Sequence, residues 1–173
     1  PATYTLMAAG ILGYDNKRNL GLIGMHGSIA ANRAVDRADL IIALGARFSD
    51  RVALNPEKFG KKAHKIQVDI DTSEINKNVL VDVGISADIK EFLTALLPLI
   101  KKNDHADWVS QSTEWKKKTG DVKSQDAELH PSEIIQSICD MTDKETIYVT
   151  DVGQHQMWAA QFLDLGEEKQ MLT

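Results

Sequence analysis

Apolar residues along this chain follow two spacings, and the spacing predicts the elements. "YTLM" (4–7) alternates over a strand's length. "AAGILGYDNKRNLG" (8–21) breaks the pattern with Gly, Asn and Asp and predicts a loop. "SIAANRAVDRA" (28–38) places small and apolar residues at helical spacing. "DLIIALG" (39–45) is a continuous apolar run closed by Gly45, the pattern of a buried strand. After an irregular stretch to 63, "HKIQVDID" (64–71) alternates as a strand. "SEINKN" (73–78) predicts a short helix capped by Ser73, and "VLVDVGI" (79–85) a further strand. "DIKEFLTALLPLI" (88–100) is an amphipathic helix with Asp88 as N-cap and Pro98 weakening its last turn.

Strands alternating with helices at this interval predict an α/β fold: a parallel sheet flanked by helices and covered on both faces. Such sheets bind ligands outside the carboxyl ends of their strands. The pattern then changes. Residues 101–129 are polar and carry six lysines, with Trp108 and Trp115 seven apart. They are expected to be a linker with one surface helix. A second α/β portion starts at 130, with a helix carrying Pro131 in its first turn, the strand "TIYVTD" (146–151) and the helix "QHQMWAAQFL" (154–163). One clear strand makes this the opening of a domain, so an incomplete β-α portion is expected. With Pro1 starting what reads as a strand entered in mid-chain, a piece of a longer protein is expected.

Composition narrows the function classes. The chain is 43% hydrophobic, enough for a real core, and its net charge of −5 is spread over mixed signs. Bulk charge therefore argues against nucleic acid and against a membrane surface. No apolar run reaches the roughly 20 residues of a spanning helix. The single cysteine, Cys139, lies among Ile134, Ile135, Ile138 and Met141 and is expected to be a core thiol.

Three stretches can carry chemistry. "GLIGMHGSIAANRA" (21–34) has glycines at 21, 24 and 27, without the dinucleotide fingerprint. Gly27 opens a helix whose N–H groups favour an anion, or else serves a plain turn. "LGARFSDRV" (44–52) follows the strongest strand. Arg47 and Arg51 suit phosphate or carboxylate, with Asp50 orienting one of them, or form a surface Asp–Arg pair. Asp69 and Asp71 lie at a strand end, where an acidic residue commonly takes ribose hydroxyls. No third carboxylate or histidine at suitable spacing supports a metal there, and no P-loop or Ser-His-Asp order can be assembled.

Taken together, "GLIGMHGSIAANRAVDRADLIIALGARFSDRV", "VDIDTSEINKN" and "DVGQHQMWAAQF" resemble the large catalytic subunit family of acetolactate synthase (acetohydroxyacid synthase), among the thiamine-diphosphate-dependent enzymes. The resemblance covers nearly the whole chain and is weakest at 101–129. It implies a Rossmann-like central FAD-binding domain over 1–100 with its N-terminal part missing, a linker over 101–129, and a truncated start of the thiamine diphosphate domain over 130–173. It implies condensation of two 2-keto acids with loss of CO2, pyruvate with a second pyruvate or with 2-ketobutyrate, in branched-chain amino acid biosynthesis.

By the same resemblance, FAD contacts fall on Thr5, Leu6, Ile23, Gly24, Met25, His26, Gly27, Gly45, Ala46, Arg47, Phe48, Ser49, Asp69, Ile70, Asp88 and Ile89. Gln154 and His155 fall at the diphosphate of thiamine. Met25, Asp50 and Arg51 line the channel, with Arg51 orienting the second keto acid. Ser49 stands where many family members have Asp, so only a backbone contact survives there. The Mg2+ site and the activating glutamate are expected outside the chain, which is therefore expected to be inactive alone. A cytoplasmic bacterial homodimer or homotetramer, with a small regulatory subunit, is the implied setting. Two alternatives remain: another FAD-containing thiamine diphosphate enzyme, of pyruvate oxidase or glyoxylate carboligase type, or a non-catalytic nucleotide-binding module.

Overall fold

A computed structural model describes residues 1–119, 129–166 and 169–173. In chain order the elements are β1 (Ala2–Tyr4), a 3-10 turn (Leu6–Ala8), β2 (Asn19–Leu22), α1 (Ile29–Arg37), β3 (Leu40–Leu44), β4 (His64–Asp69), a 3-10 turn (Thr72–Glu74), β5 (Val83–Ser86), α2 (Ile89–Leu96) and a 3-10 turn (Leu97–Leu99). There follow α3 (Ala106–Thr119), α4 (Pro131–Met141), β6 (Ile147–Val149), α5 (Gln154–Phe162) and β7 (Gln170–Leu172). Every described strand pairing is parallel. The α/β class expected from the alternation is what the chain adopts. It forms two compact units, Arg33–His105 and Pro1–Asn32 with Ala106–Thr173.

In the unit Arg33–His105, the strands run in the order β3-β4-β5, with Leu40 opposite His64 and Ile66 opposite Val83. The strand faces differ in cover. On one, Ala43 packs with Phe48, Ala53 and Val79, and half-buried Ala46, Val52, Phe59 and Val81 close the cluster. On the other, Leu40 and Ile42 remain 47% and 45% exposed. The expectation that "DLIIALG" is buried on both faces is corrected here. A continuous apolar run records that both faces of a strand are apolar, not that anything covers them.

Element limits also move. The short helix after β4 is capped by Asp71, whose Oδ1 accepts from Ser73 N–H at 2.9 Å, not by Ser73. Asp71 precedes the turn and can reach back over it, as an Asx turn does. The strand expected at 79–85 is β5, Val83–Ser86. Val79 leaves the ladder for the core, and Asn76, at φ 60°, bonds Val81 N–H through Oδ1 at 2.8 Å. Asp88 caps α2 as expected, accepting from Lys90 and Glu91 N–H at 2.8 and 3.1 Å. Pro98 lies in the 3-10 turn that ends it.

In the other unit, the strand expected at 4–7 runs only from Ala2 to Tyr4, and Leu6 already turns. Beside it lies a strand the composition hid, β2, which takes up the last residues of the expected loop. Asn19 is 4% exposed because its amide donates to the Leu12 and Gly13 carbonyls (3.0 and 3.2 Å) while Oδ1 accepts from Gly21 N–H at 2.9 Å. A loop-forming residue is thus a buried strand residue that serves the loop. The helix α3 turns Val109, Ser112 and Trp115 inward at spacing three, with Trp108 edge-on to Trp115 at 5.6 Å. Residues 120–128 of the expected linker lie outside the described residues.

A second core gathers Cys139, Ala159, Leu163 and Leu165 with Ile135, Tyr148 and Met171. Cys139 is 3% exposed, and burial pushes its thiol above the ordinary value, which suits a packing role. The portion after 130 holds a second strand, β7, paired with β6, where the sequence showed one.

Candidate functional sites

The carboxyl edge of β3-β4-β5 collects most residues expected to contact FAD in that unit. Gly45 continues the ladder, its N–H on Val68 O at 2.8 Å, and turns at φ +62°. A Cβ there would stand 3.0 Å from Ile89 Cδ1, so glycine brings the backbone close to α2. Arg47 is exposed, and its carbonyl accepts from Asn78 Nδ2 at 3.0 Å. Phe48 is 3% exposed at φ +48° and packs edge-on against Phe59. Its ring is part of the core, so only its backbone can face a ligand. Ser49 turns its carbonyl onto Val52 and Ala53 N–H, at 2.9 and 2.8 Å.

At the end of β4, Asp69 is buried and its Oδ1 accepts from Asp71 N–H at 3.0 Å. Ile70 beside it is 75% exposed. The Ser73 hydroxyl and N–H hold the Asp71 carboxyl below its ordinary range. Asp88 and Ile89 stand at the start of α2. Asp50 and Arg51 are exposed on the loop between β3 and β4. Sequence reasoning missed the residues that tie these loops, Gln67, Asn76 and Asn78. The readable signal was a polar residue in mid-strand.

In the other unit, the remaining expected residues lie at the end of β1 and at two strand-to-helix junctions. Thr5 and Leu6 follow β1, with Thr5 O accepting from Ala8 N–H at 2.9 Å. At the turn 23–27, Ile23 is 8% exposed, while Met25 and His26 are exposed. Gly24 is gripped at both ends by one side chain: Asn32 Nδ2 donates to its carbonyl at 2.9 Å, and its N–H donates to Asn32 Oδ1 at 3.1 Å. Ser28 Oγ accepts from Ala31 N–H at 2.9 Å and donates to Leu20 O at 2.6 Å. A Cβ on Gly27 would fall 2.5 Å from Leu22 O, so the backbone itself fills that space. Gln161 Nε2 on α5 donates to His26 O. These contacts hold Gly27 in a tight turn directly before α1.

The second junction, β6 to α5, is different. Gly153 caps α5 without a side-chain acceptor, and Gln154 and His155 are exposed at the first turn. Thr150 Oγ1 is buried with no partner among the described residues. An unsatisfied hydroxyl and an uncapped helix start are donors of the kind an anion takes. Asp151 points its Oδ1 at Val152 N–H, 2.7 Å away. The uncapped start of α5 and the unpartnered Thr150 hydroxyl fit an anion such as a diphosphate. Among the described residues no three His, Cys, Asp or Glu form a group that could hold a metal ion.

Residues 1–96 match the thiamine pyrophosphate enzyme, central domain. The chain belongs to the thiamine pyrophosphate enzymes. Likeness to members of that family continues past residue 96. The chain is 42% identical over 175 residues to the acetolactate synthase large subunit of Lactococcus lactis, covering 100% of this chain and 30% of that protein. It is 43% identical over 177 residues to the acetolactate synthase large subunit of Cyanidium caldarium, covering 98% and 30%. It is 39% identical over 180 residues to acetolactate synthase 1, chloroplastic, of Zea mays, covering 100% and 28%. The chain thus spans less than a third of the length of these relatives. No described helix is long and apolar enough to cross a membrane.

Proposed function

We propose that the chain is the FAD-binding central portion and the start of the diphosphate-binding portion of an acetolactate synthase catalytic subunit. The observation that carries this reading is likeness to acetolactate synthase large subunits over 98–100% of the chain, through both compact units. The domain limits that go with it are 1–100, 101–129 and 130–173. The parent condenses pyruvate with a second pyruvate or with 2-ketobutyrate in the cytoplasm, as a homodimer or homotetramer with a small regulatory subunit.

When bound, thiamine diphosphate with Mg2+ would supply the nucleophilic carbon for decarboxylation of a 2-keto acid. Gln154, His155 and the first-turn N–H groups of α5 hold its diphosphate. The sheet-edge backbone at Gly45–Ser49, with Asp69 and Asp88, holds FAD, which is largely structural and undergoes no net redox change. Ile70 and Ile89 complete the contacts in the unit Arg33–His105, and Thr5, Leu6 and Ile23–Gly27 are the FAD contacts that the resemblance implies in the other. Arg51 orients the second keto acid.

The test is to express the full reading frame containing this chain and supply pyruvate, thiamine diphosphate, Mg2+ and FAD. Acetolactate is expected, measured as acetoin after acid treatment. Acetyl phosphate, or tartronate semialdehyde from glyoxylate, would replace this reading with an oxidase or a carboligase. The 173-residue chain alone is expected to form no acetolactate and to retain little flavin. A yellow stoichiometric complex would favour a self-contained nucleotide-binding module.

A further inference from the structure

Gln67 sits in the middle of β4, the central strand of its sheet, and is 0% exposed. An apolar side chain would suit that position, because an amide taken out of water must recover its hydrogen bonds. Gln67 recovers them from two loops at once. Its Nε2 donates to Ala46 O at 3.2 Å, on the loop after β3, and to Glu74 O at 3.1 Å, on the turn after β4. Its Oε1 accepts from Asn76 N–H at 3.4 Å. Both N–H donors of the amide are used, and neither is spent within the sheet. Asn78 Nδ2 on Arg47 O, at 3.0 Å, is a second and outer tie between the same segments.

These two segments border the carboxyl edge of the sheet. One carries Gly45–Ser49, and the other follows directly on Asp69 and Ile70. Phe48 needs outside support to stay in the left-handed region, since a bulky residue there is strained. We propose that Gln67 is a positioning residue for the flavin edge. From inside the sheet it sets the spacing of the 45–49 and 69–76 segments, whose residues 45–49, Asp69 and Ile70 are the proposed nucleotide contacts, without touching the nucleotide itself. The flavin part of this inference rests on the function proposed above. The coupling of the two loops does not.

The chain itself gives the first test. In Gln67→Met, which keeps length and loses the donors, backbone amide hydrogen exchange is expected to rise about tenfold at 46–49 and 74–78 relative to the β3 and β4 ladder amides. Gln67→Glu separates bonding from packing. Burial and the two facing carbonyls raise its pKa, and once ionised at higher pH its carboxylate repels both and loosens the loops. At low pH the neutral acid can donate one O–H and restores part of the order, so protection in these loops rises as pH falls. Exchange rising evenly over the chain, or a Gln67→Glu variant whose two loops show no pH dependence of their own, would reduce Gln67 to a packing residue and overturn the proposal.

The full reading frame gives the second. Gln67→Met is expected to raise the FAD dissociation constant about tenfold while leaving kcat at saturating FAD near wild type. Equal FAD affinity in wild type and variant, with the loops loosened, defeats the positioning role alone. A wild-type frame that binds no FAD defeats the function reading and the flavin role with it.

Discussion

The two strand-to-helix junctions at 23–28 and 150–154 look alike in sequence, and the fold treats them oppositely. Each follows a short strand and brings a glycine to a helix start. At the first, the chain satisfies itself. Asn32 holds Gly24 at both its donor and its acceptor, Ser28 caps the helix and reaches back to Leu20, and Leu22 O fills the room beside Gly27. At the second, Gly153 offers no cap, Thr150 Oγ1 has no described partner, and Gln154 and His155 face outward. A glycine before a helix therefore does not define an anion site. What matters is whether nearby side chains have already used the helix-start donors.

The sharpest way to break this comparison is one substitution made twice. Gly27→Ala drives a Cβ onto backbone atoms at 2.5–2.7 Å and is expected to cost at least about 3 kcal/mol in urea unfolding. Gly153→Ala meets only the His155 ring, at 2.8 Å, which can rotate away, and its backbone is extended. Its cost is expected to stay below about 1 kcal/mol. Equal losses would show that the two junctions are the same.

Next in size is Asn32→Ala, which strips both bonds from Gly24 and is expected to cost about 1–2 kcal/mol. Faster amide exchange should appear at 24–27 and not at 150–154. Thr150→Val is expected to act with the opposite sign. Removing an unsatisfied buried hydroxyl should stabilise the chain by up to about 1 kcal/mol, while weakening thiamine diphosphate binding by the full-length protein. A loss of stability would mean that the hydroxyl already has a partner.

The smallest effect expected is with pH, at the far end of α5. Lys169 Nζ lies 3.0 and 3.1 Å from the Asp164 oxygens and 3.2 Å from Cys139 O at the end of α4. Burial, the largest single influence on Asp164, pushes its carboxyl up, but the bonds from Cys139 and Lys169 outweigh it and leave it below its ordinary value. The folded state therefore holds fewer protons than the unfolded one in the acid range. The stabilisation is full above the unfolded carboxyl value and fades as pH falls through the folded one. Lys169 is raised, chiefly by its bond to Asp164, so its share is full below the ordinary lysine value and fades at high pH. Asp164→Asn should flatten the acid limb of the unfolding curve. An unchanged limb would assign it to other carboxyls.

The helices were the most legible part of the fold. Their caps and spacing are local, so 28–38, Asp88 and Pro131 predicted α1, α2 and α4 to within a few residues. The strands were less so. Asn19 and Gly21 concealed β2, because their use depends on carbonyls at 12 and 13 that no local pattern records. The expected ligand loops were legible as motifs. Their supports were not: Gln67, Asn32 and Thr150 matter through partners seven or more residues away, or through having none.

By itself, then, the sequence determined the α/β alternation, the limits of α1, α2 and α4 to within a few residues and the motifs at the ends of strands. These follow from periodicity and from caps within one turn. Only the tertiary structure decided which loop ends are tied, which apolar strand face is covered, and which of two glycine junctions still has donors to offer. Those outcomes depend on burial and on hydrogen bonds between distant residues, and a linear pattern carries neither.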